Sequence, residues 1–155
     1  MKLLIISDTH GDYPLAARAV DAAGPVDLIV HLGDCFDDAL VIESIADVPV
    51  LKVRGNCDPG GDAERELLVT LADKTVMITH GDRYAVKSGL SRLHTRGLEL
   101  NVDIVLYGHT HHAAIETIGD ILFVNPGSLN VKSRQAGYAI LTIDQGSIGA
   151  VLVPL

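Results

Sequence analysis

Residues Tyr107-Gly108-His109-Thr110-His111 set two imidazoles two positions apart, directly after an apolar run over 102–106 that only Asp103 interrupts. In extended backbone, side chains alternate with period two, so His109 and His111 fall on one side and offer a pair of nitrogen ligands. Such a pair serves as a metal clamp, a catalytic dyad or two surface histidines. The remaining polar residues must choose among these.

Four further polar clusters each close a short apolar run: Asp8-x-His10, Gly33-Asp34, Gly55-Asn56 and His80-Gly81. With His109 and His111, the five clusters supply two carboxylates, one amide oxygen and four imidazoles. A mixed oxygen and nitrogen set with no thiolate suits Mn²⁺, Fe, Ni²⁺ or Zn²⁺ better than an all-oxygen Ca²⁺ cage. Seven side chains exceed what one tetrahedral ion takes and suit two ions sharing a carboxylate. Singly, each cluster has a bland reading: Asp34 caps a turn or helix, and Asn56 beside Gly55 is a turn residue. Five of them at the ends of five predicted strands have no equally simple structural explanation.

The elements that must position these clusters follow from hydrophobic patterning. Residues 2–6 and 28–32 are continuous apolar runs of the kind found in strands buried on both faces, with His31 inside the second. Between them Leu15, Ala16, Ala19, Val20 and Ala23 recur at helical spacing, with Asp12 as cap, Pro14 in the first turn and Gly24-Pro25 as a stop. A second helix is expected over 38–46 and a third strand over 48–53. Alternating strand and helix predicts parallel strands with crossovers, whose ligands gather beyond the carboxyl ends. Runs 67–71 and 75–79, joined by Ala72-Asp73-Lys74, predict an antiparallel pair. A helix over 88–98, with Leu90, Leu93 and Leu98 on one side, leads into the strand before His109. Runs 113–118, 121–124, 138–143 and 148–153, with turns at Gly119-Asp120 and Gln145-Gly146, predict a mostly antiparallel last third. The expected fold is α/β: two packed sheets with helices outside, in one domain over 1–155.

Totals narrow the function classes. A hydrophobic content of 48% with 21% charged residues suits a well-packed globular chain. No apolar run approaches the ~20 residues of a membrane helix, and the first apolar stretch reaches Ser7-Asp8 too soon for a signal peptide. A cytoplasmic protein is expected, with Cys35 and Cys57 as free thiols. The net charge of −8 disfavours nucleic acid and anionic membrane as partners. A phosphate ligand then needs a local positive field, which a bound cation supplies.

In order along the chain, Asp8-Thr9-His10, Gly33-Asp34, Gly55-Asn56-Cys57-Asp58, His80-Gly81-Asp82 and Gly108-His109-Thr110-His111 resemble the motifs of the calcineurin-like metallophosphoesterases. The short length, Cys57 and Asn125-Pro126-Gly127-Ser128 look like the small single-domain phosphodiesterase branch, which also resembles a non-catalytic retromer subunit. The resemblance implies a four-layer α/β/β/α sandwich of two mixed sheets with helices outside. It implies that Asp8, His10, Asp34 and His111 hold one divalent ion and that Asp34, Asn56, His80 and His109 hold the other, Mn²⁺ first, with Ni²⁺, Zn²⁺ or Fe as alternatives. Asp34, Asn56 and His109 are then also the catalytic candidates, joined by Cys57. A homodimer or tetramer is implied as well.

Two ions ~3.5–4 Å apart share a water, lower its pKa towards ~7 and present hydroxide for in-line attack on a small phosphate-ester substrate. Cys57 stands where the family pattern often has the His that assists the leaving group. A thiol with an unperturbed pKa of ~8.5 matches an imidazolium poorly, so a preference for diesters of acidic alcohols, such as aryl esters, is expected. The rival readings are a phosphomonoesterase with the same two-ion site, a retromer-like scaffold without chemistry, and a sugar- or nucleotide-binding module with incidental histidines.

Other chemistry-bearing residues have structural readings. Asp58 orients a ligand or caps a turn, and Cys35 is a small buried residue. His31 is a hydrogen-bonded core group, His94 is exposed on its helix, and His112 points opposite to His111. Arg54, Arg83, Lys87, Lys132 and Arg134, the cations nearest the motif loops, are solvated surface.

Overall fold

In the computed structural model, which describes residues 1–155, the first half of the chain alternates strand and helix. It runs β1 (Lys2–Ile6), α1 (Tyr13–Ala23), β2 (Leu28–His31), α2 (Phe36–Ile45), β3 (Val50–Lys52), β4 (Glu66–Leu71) and β5 (Lys74–Thr79). Two 3-10 turns, Asp82–Tyr84 and Val86–Ser88, precede α3 (Ser91–Glu99). Then come β6 (Ile104–Leu106), β7 (Ala114–Ile118), β8 (Ile121–Asn125), β9 (Gly137–Asp144) and β10 (Ser147–Pro154).

The strands form two five-stranded sheets, ordered β10-β9-β1-β2-β3 and β4-β5-β6-β8-β7. In the first, β1 pairs parallel with β2 and β2 with β3, while β9 runs antiparallel to β1 and β10. In the second, β5, β6 and β8 are parallel, flanked by antiparallel β4 and β7. Each sheet is mixed, as the α/β sandwich reading expected. The apolar alternation explains the layering. Leu3, Ile5, Leu28 and Val30 pack with Val76, Ile78, Ile104 and Val124 of the other sheet. The alternate residues Leu4, Ile6 and Ile29 meet Leu15, Ala16, Ala19 and Ile42 of α1 and α2. On the far side, Met77, Val105 and Phe123 pack against Leu93 of α3.

Helix α1 begins as read: the Asp12 carboxylate accepts the Leu15 N–H, and Gly24 leaves the helix at φ 64°. Among the boundaries that differ from expectation, three have a clear physical cause. Helix α2 starts at Phe36 rather than 38, because Asp58, distant in sequence, accepts the Phe36 N–H at 2.7 Å. Strand β3 shortens to Val50–Lys52, as Pro49 has no N–H for the ladder. Helix α3 starts at Ser91 because Gly89, at φ 122°, breaks the chain after the 3-10 turn. Leu98 is 60% exposed, against the expectation that it shares a face with Leu93. The buried pair is Leu93 and Gly97, and a Cβ on Gly97 would come within 3.1 Å of Ile121, so the helix meets the sheet there.

The carboxyl ends of the parallel strands of both sheets abut. Within each sheet the end loops stay bonded, Gly108 N–H to His80 O and Asp8 N–H to Gly33 O (each 3.0 Å), and between sheets the His109 N–H reaches Asp8 Oδ2 at 3.1 Å. The His80 ring bonds across to Leu32 O at 2.8 Å, joining one sheet to the other. All five polar clusters meet along this seam.

Candidate metal centre

Strand β6 ends at Leu106, so His109 and His111 do not lie in extended backbone. Both are left-handed, at φ 68° and 60°, so period-two alternation does not hold and the two imidazoles do not form a single same-side clamp. His111 turns towards Asp8, with Nε2 3.0 Å from Oδ1, and towards His10 Nε2 at 3.4 Å. His109 turns the other way, its Nδ1 3.2 Å from His80 Nε2. Asp8, His10, Asp34 and Cys35 are also left-handed, at φ 54°, 47°, 56° and 114°. Each such position costs of the order of 1 kcal/mol, and the strain collects where six residues must aim side chains off strand ends.

Two groups of donors result. Asp8, His10, Asp34 and His111 each bring one donor atom to within 4.8 Å of the others, and so do Asp34, His80 and His109. Asn56 joins the second group, its Oδ1 3.2 Å from His80 Nε2. Asp34 faces both, with Oδ2 3.9 Å from His10 Nε2 and Oδ1 3.4 Å from His80 Nε2. All seven sequence-predicted metal residues are thus brought together. Asp8, Asp34 and His80 form a buried floor; His10, Asn56, Cys57 and His111 form an exposed rim.

The donor set fits a cation. Asp8 Oδ2 accepts bonds from the Ser7 hydroxyl and the His109 N–H (3.1 Å), whereas buried Oδ1 has no N–H or O–H committed to it and faces only the His111 Nε2 at 3.0 Å. Hydrogen bonding of His80 Nδ1–H to Leu32 O leaves the Nε2 lone pair facing the cluster. Lone pairs of imidazole, amide and carboxylate therefore converge with too few protons between them, the arrangement a borderline divalent metal satisfies.

The charges of these groups are strongly coupled. Burial pushes the Asp34 carboxyl up, but His80 and the Cys57 N–H (2.9 Å) outweigh it and hold the group well below the usual carboxylate range. Burial likewise opposes ionised Asp8, and His111, His80 and Ser7 bring its pKa below the ordinary value. Against burial, Asp34 and Asp8 raise His80. His111 is raised chiefly by Asp8. His109 is lowered by burial, by His80 and by Lys87. The Cys57 thiol is pushed up to about 11, first by its bond to Asp34, then by burial and nearby carboxylate charge, so it stays protonated at neutral pH.

A shell of hydrogen bonds holds the loops. The Asp58 carboxylate accepts N–H groups of Asp34, Cys35, Phe36 and Gly55, so it both caps α2 and fixes the Asp34 loop. Buried Asp38 accepts the Gly11 N–H at 2.8 Å. Asn125 donates to Gly108 O and the Thr110 hydroxyl, Ser128 to Asp8 O, and Asn130 to Thr9 O. By residue type alone, Asn125-Pro126-Gly127-Ser128 marks the family branch and announces no such supporting role. The available signal was position: Asn125 ends β8, a parallel strand that delivers its loop to the same seam.

Histidines outside the cluster divide. His31 is buried, accepts the Gly33 N–H at Nδ1 (3.1 Å) and meets Thr9 Oγ1 at Nε2 (3.2 Å), a core group as expected. Burial drops its pKa to about 4. His112 lines a cleft of about 660 Å³ to which neither His111 nor any other of the seven donors contributes. His94, expected to be exposed, is half-buried against Phe123, and its Nε2 has no partner. Both thiols are free, and half-buried Cys35 lines a cleft beside Cys57. Arg54 is no free surface cation: it bonds to the carbonyls of Pro59 and Ala63.

The sequence profile of the calcineurin-like phosphoesterase superfamily domain matches residues 1–146. The probable metallophosphoesterase YsnB of Bacillus subtilis is 37% identical over 147 residues, 93% of this chain and 85% of that one. Phosphodiesterase YfcE of Escherichia coli K12 is 30% identical over 179 residues, 97% of this chain and 92% of its own. In fold, the chain matches the crystal structure of Entamoeba histolytica Vps29 complexed with Zn²⁺, with a TM-score of 0.78 at 20% identity over 99% of each chain. No helix is long and apolar enough to cross a membrane.

Two consequences are measurable. A Cβ at residue 55 would run into the Asp34 carboxylate, so Gly55→Ala should lose bound metal, read by elemental analysis, while circular dichroism stays native. His31 is protonated more readily unfolded than folded, so its contribution to stability is complete above pH 6.5 and is lost as pH falls towards 4. The slope is at most about 1.4 kcal/mol per pH unit. Urea unfolding of wild type and His31→Gln across this range should differ by this slope, the wild type losing more stability as pH falls from 6.5 towards 4.

Proposed function

Because the chain belongs to the calcineurin-like phosphoesterase superfamily, we propose that it is a metal-dependent phosphodiesterase that cleaves a small or activated diester by in-line attack of hydroxide on phosphorus. Metal-dependent hydrolysis of phosphate esters follows from the family, and a relative named as a phosphodiesterase supports the diester preference. The observation that carries the reading is Asp34, one carboxylate facing two groups of donors.

In this reading Asp8, His10, Asp34 and His111 hold one divalent ion, and Asp34, Asn56, His80 and His109 hold the second, with Mn²⁺ first and Ni²⁺, Zn²⁺ or Fe as alternatives. When bound, such a pair supplies Lewis acidity, bringing the pKa of water towards ~7 and offsetting charge on phosphoryl oxygens. The chain's residues prepare for this. The Leu32 carbonyl fixes the His80 tautomer, and the depressed His109 is neutral at pH 7, the form that donates a lone pair. Protonated Cys57 faces the leaving oxygen as a weak donor. It lines a cleft of about 270 Å³ with Phe36, Pro59 and His10, whose apolar members suit a flat aryl alcohol. The substrate is a small ester rather than nucleic acid, in keeping with a net charge of −8.

The test is a panel of mono- and diesters on metal-stripped protein refilled with Mn²⁺, Ni²⁺, Zn²⁺ or Mg²⁺. Asp34→Asn should lower both metal content and diester turnover, the latter by more than about a hundredfold, ~2.7 kcal/mol of barrier. Full activity in that variant, or no stoichiometric metal in wild type, would remove the reading. Cys57→His should raise alkyl over aryl diester hydrolysis by roughly tenfold or more; an unchanged ratio would deny Cys57 its role.

A further inference from the structure

A second cleft, of about 230 Å³, opens from the other side of His10. It is lined by His10, His111, Ser128, Asn130, Lys132 and Ser133, with no apolar side chain. Its polar groups are largely committed to one another. Ser133 Oγ–H donates to Ser128 Oγ (2.7 Å), Ser128 Oγ–H to Asp8 O (2.9 Å), and Asn130 Nδ2–H to Thr9 O (2.8 Å). Asn130 Oδ1 accepts the Lys132 N–H at 2.9 Å, and the next backbone N–H upstream, on Val131, is held by Asp12 (2.9 Å). Lys132 therefore projects from a loop tied directly to the Asp8–His10 backbone.

Lys132 is the one lysine or arginine lining the cleft, beside the imidazoles of His10 and His111. Lys52, Lys74, Arg65 and Arg96 are in ion pairs; Lys132, like the other lysines and arginines, is in none, and of these it alone stands in this cleft. In a chain of net charge −8, a cation without a carboxylate partner beside a cluster built for phosphate has its hydrogen-bonding capacity free for a ligand. A neutral polar arm would find the hydroxyls and amide already donating elsewhere, and an apolar arm would find no surface. An anion finds Lys132.

Resting on the phosphoesterase reading above, we propose that this cleft is a subsite for a second anionic group of the substrate, and that Lys132 selects diesters whose retained alcohol carries a further phosphate. The two clefts that meet at His10 then divide the diester: the leaving alcohol lies towards Cys57 and the charged arm towards Lys132.

The test compares 4-nitrophenyl 2-phosphoethyl phosphate with bis(4-nitrophenyl) phosphate on Mn²⁺-loaded protein. The ratio of kcat/KM for the first over the second should fall about tenfold in Lys132→Ala, the worth of one charge-assisted hydrogen bond, fall further in Lys132→Glu, and survive in Lys132→Arg. Calorimetry supplies a readout without turnover: wild type should bind 1,2-ethylenediphosphonate more tightly than methylphosphonate by a similar factor, and Lys132→Ala should lose that advantage. A ratio and an advantage in Lys132→Ala within about twofold of wild type would mean that Lys132 is solvated surface, overturning the proposal. If wild type hydrolysed neither diester, the phosphodiesterase reading would fall by itself, and the calorimetric comparison would still decide the subsite.

Discussion

The placement of one carboxylate, Asp34, governs the rest of the centre. It is nearly buried, charged, and faces both groups of donors. A charge in that position is tolerated only if hydrogen bonds and opposite charge replace the water it has lost. The chain meets this with a left-handed residue at 34, a Cys57 N–H on Oδ1, and Asp58 gripping the loop from below. Position 55 has no room for a side chain because the Asp34 carboxylate fills it. Gly55 is thus required by packing against the charge as much as by any turn.

The two-sheet architecture exists, in functional terms, to bring strand ends from opposite sheets to within bonding distance. The first sheet delivers Asp8, His10, Asp34 and Asn56; the second delivers His80, His109 and His111. The contact of His80 with Leu32 O spans the seam and orients an imidazole at the same time. Rigidity below and openness above follow from burial: the carboxylates and His80 are sealed in the floor, while His10, His111, Asn56 and Cys57 stand at the solvent edge. Two clefts share His10 of this rim, while the cleft of about 660 Å³ that His112 lines includes none of the donors.

Much of this was readable in the chain. Runs 3–6 and 28–32 are apolar except for His31 because both faces of their sheet are covered, and the structure places strands there. The donor residues were readable as polar clusters closing such runs. Reading failed where a distant partner intervened. Helix α2 gains its first turn from Asp58, and Leu98 is displaced from the buried face because Gly97 lets the backbone approach Ile121. The strand assumption at His109 failed because Asp8 accepts the His109 N–H and Asn125 holds the Gly108 carbonyl, pulling the chain out of extension after Leu106. Asn125, Ser128 and Asn130 were overlooked as supports since their partners lie 15 to 121 residues away.

Residue type and local pattern therefore determine the inventory: which strands exist, where they end, and that carboxylate, amide and imidazole donors sit at those ends. Their partition comes from elsewhere. Whether His111 joins Asp8 and His109 joins His80 depends on positive φ angles and on contacts bridging about a hundred residues of chain. Local periodicity encodes neither, because it records only the face on which a side chain would lie if the backbone stayed regular. At the seam the backbone leaves regular structure, and the packing of one sheet's loops against the other's determines where each lone pair points.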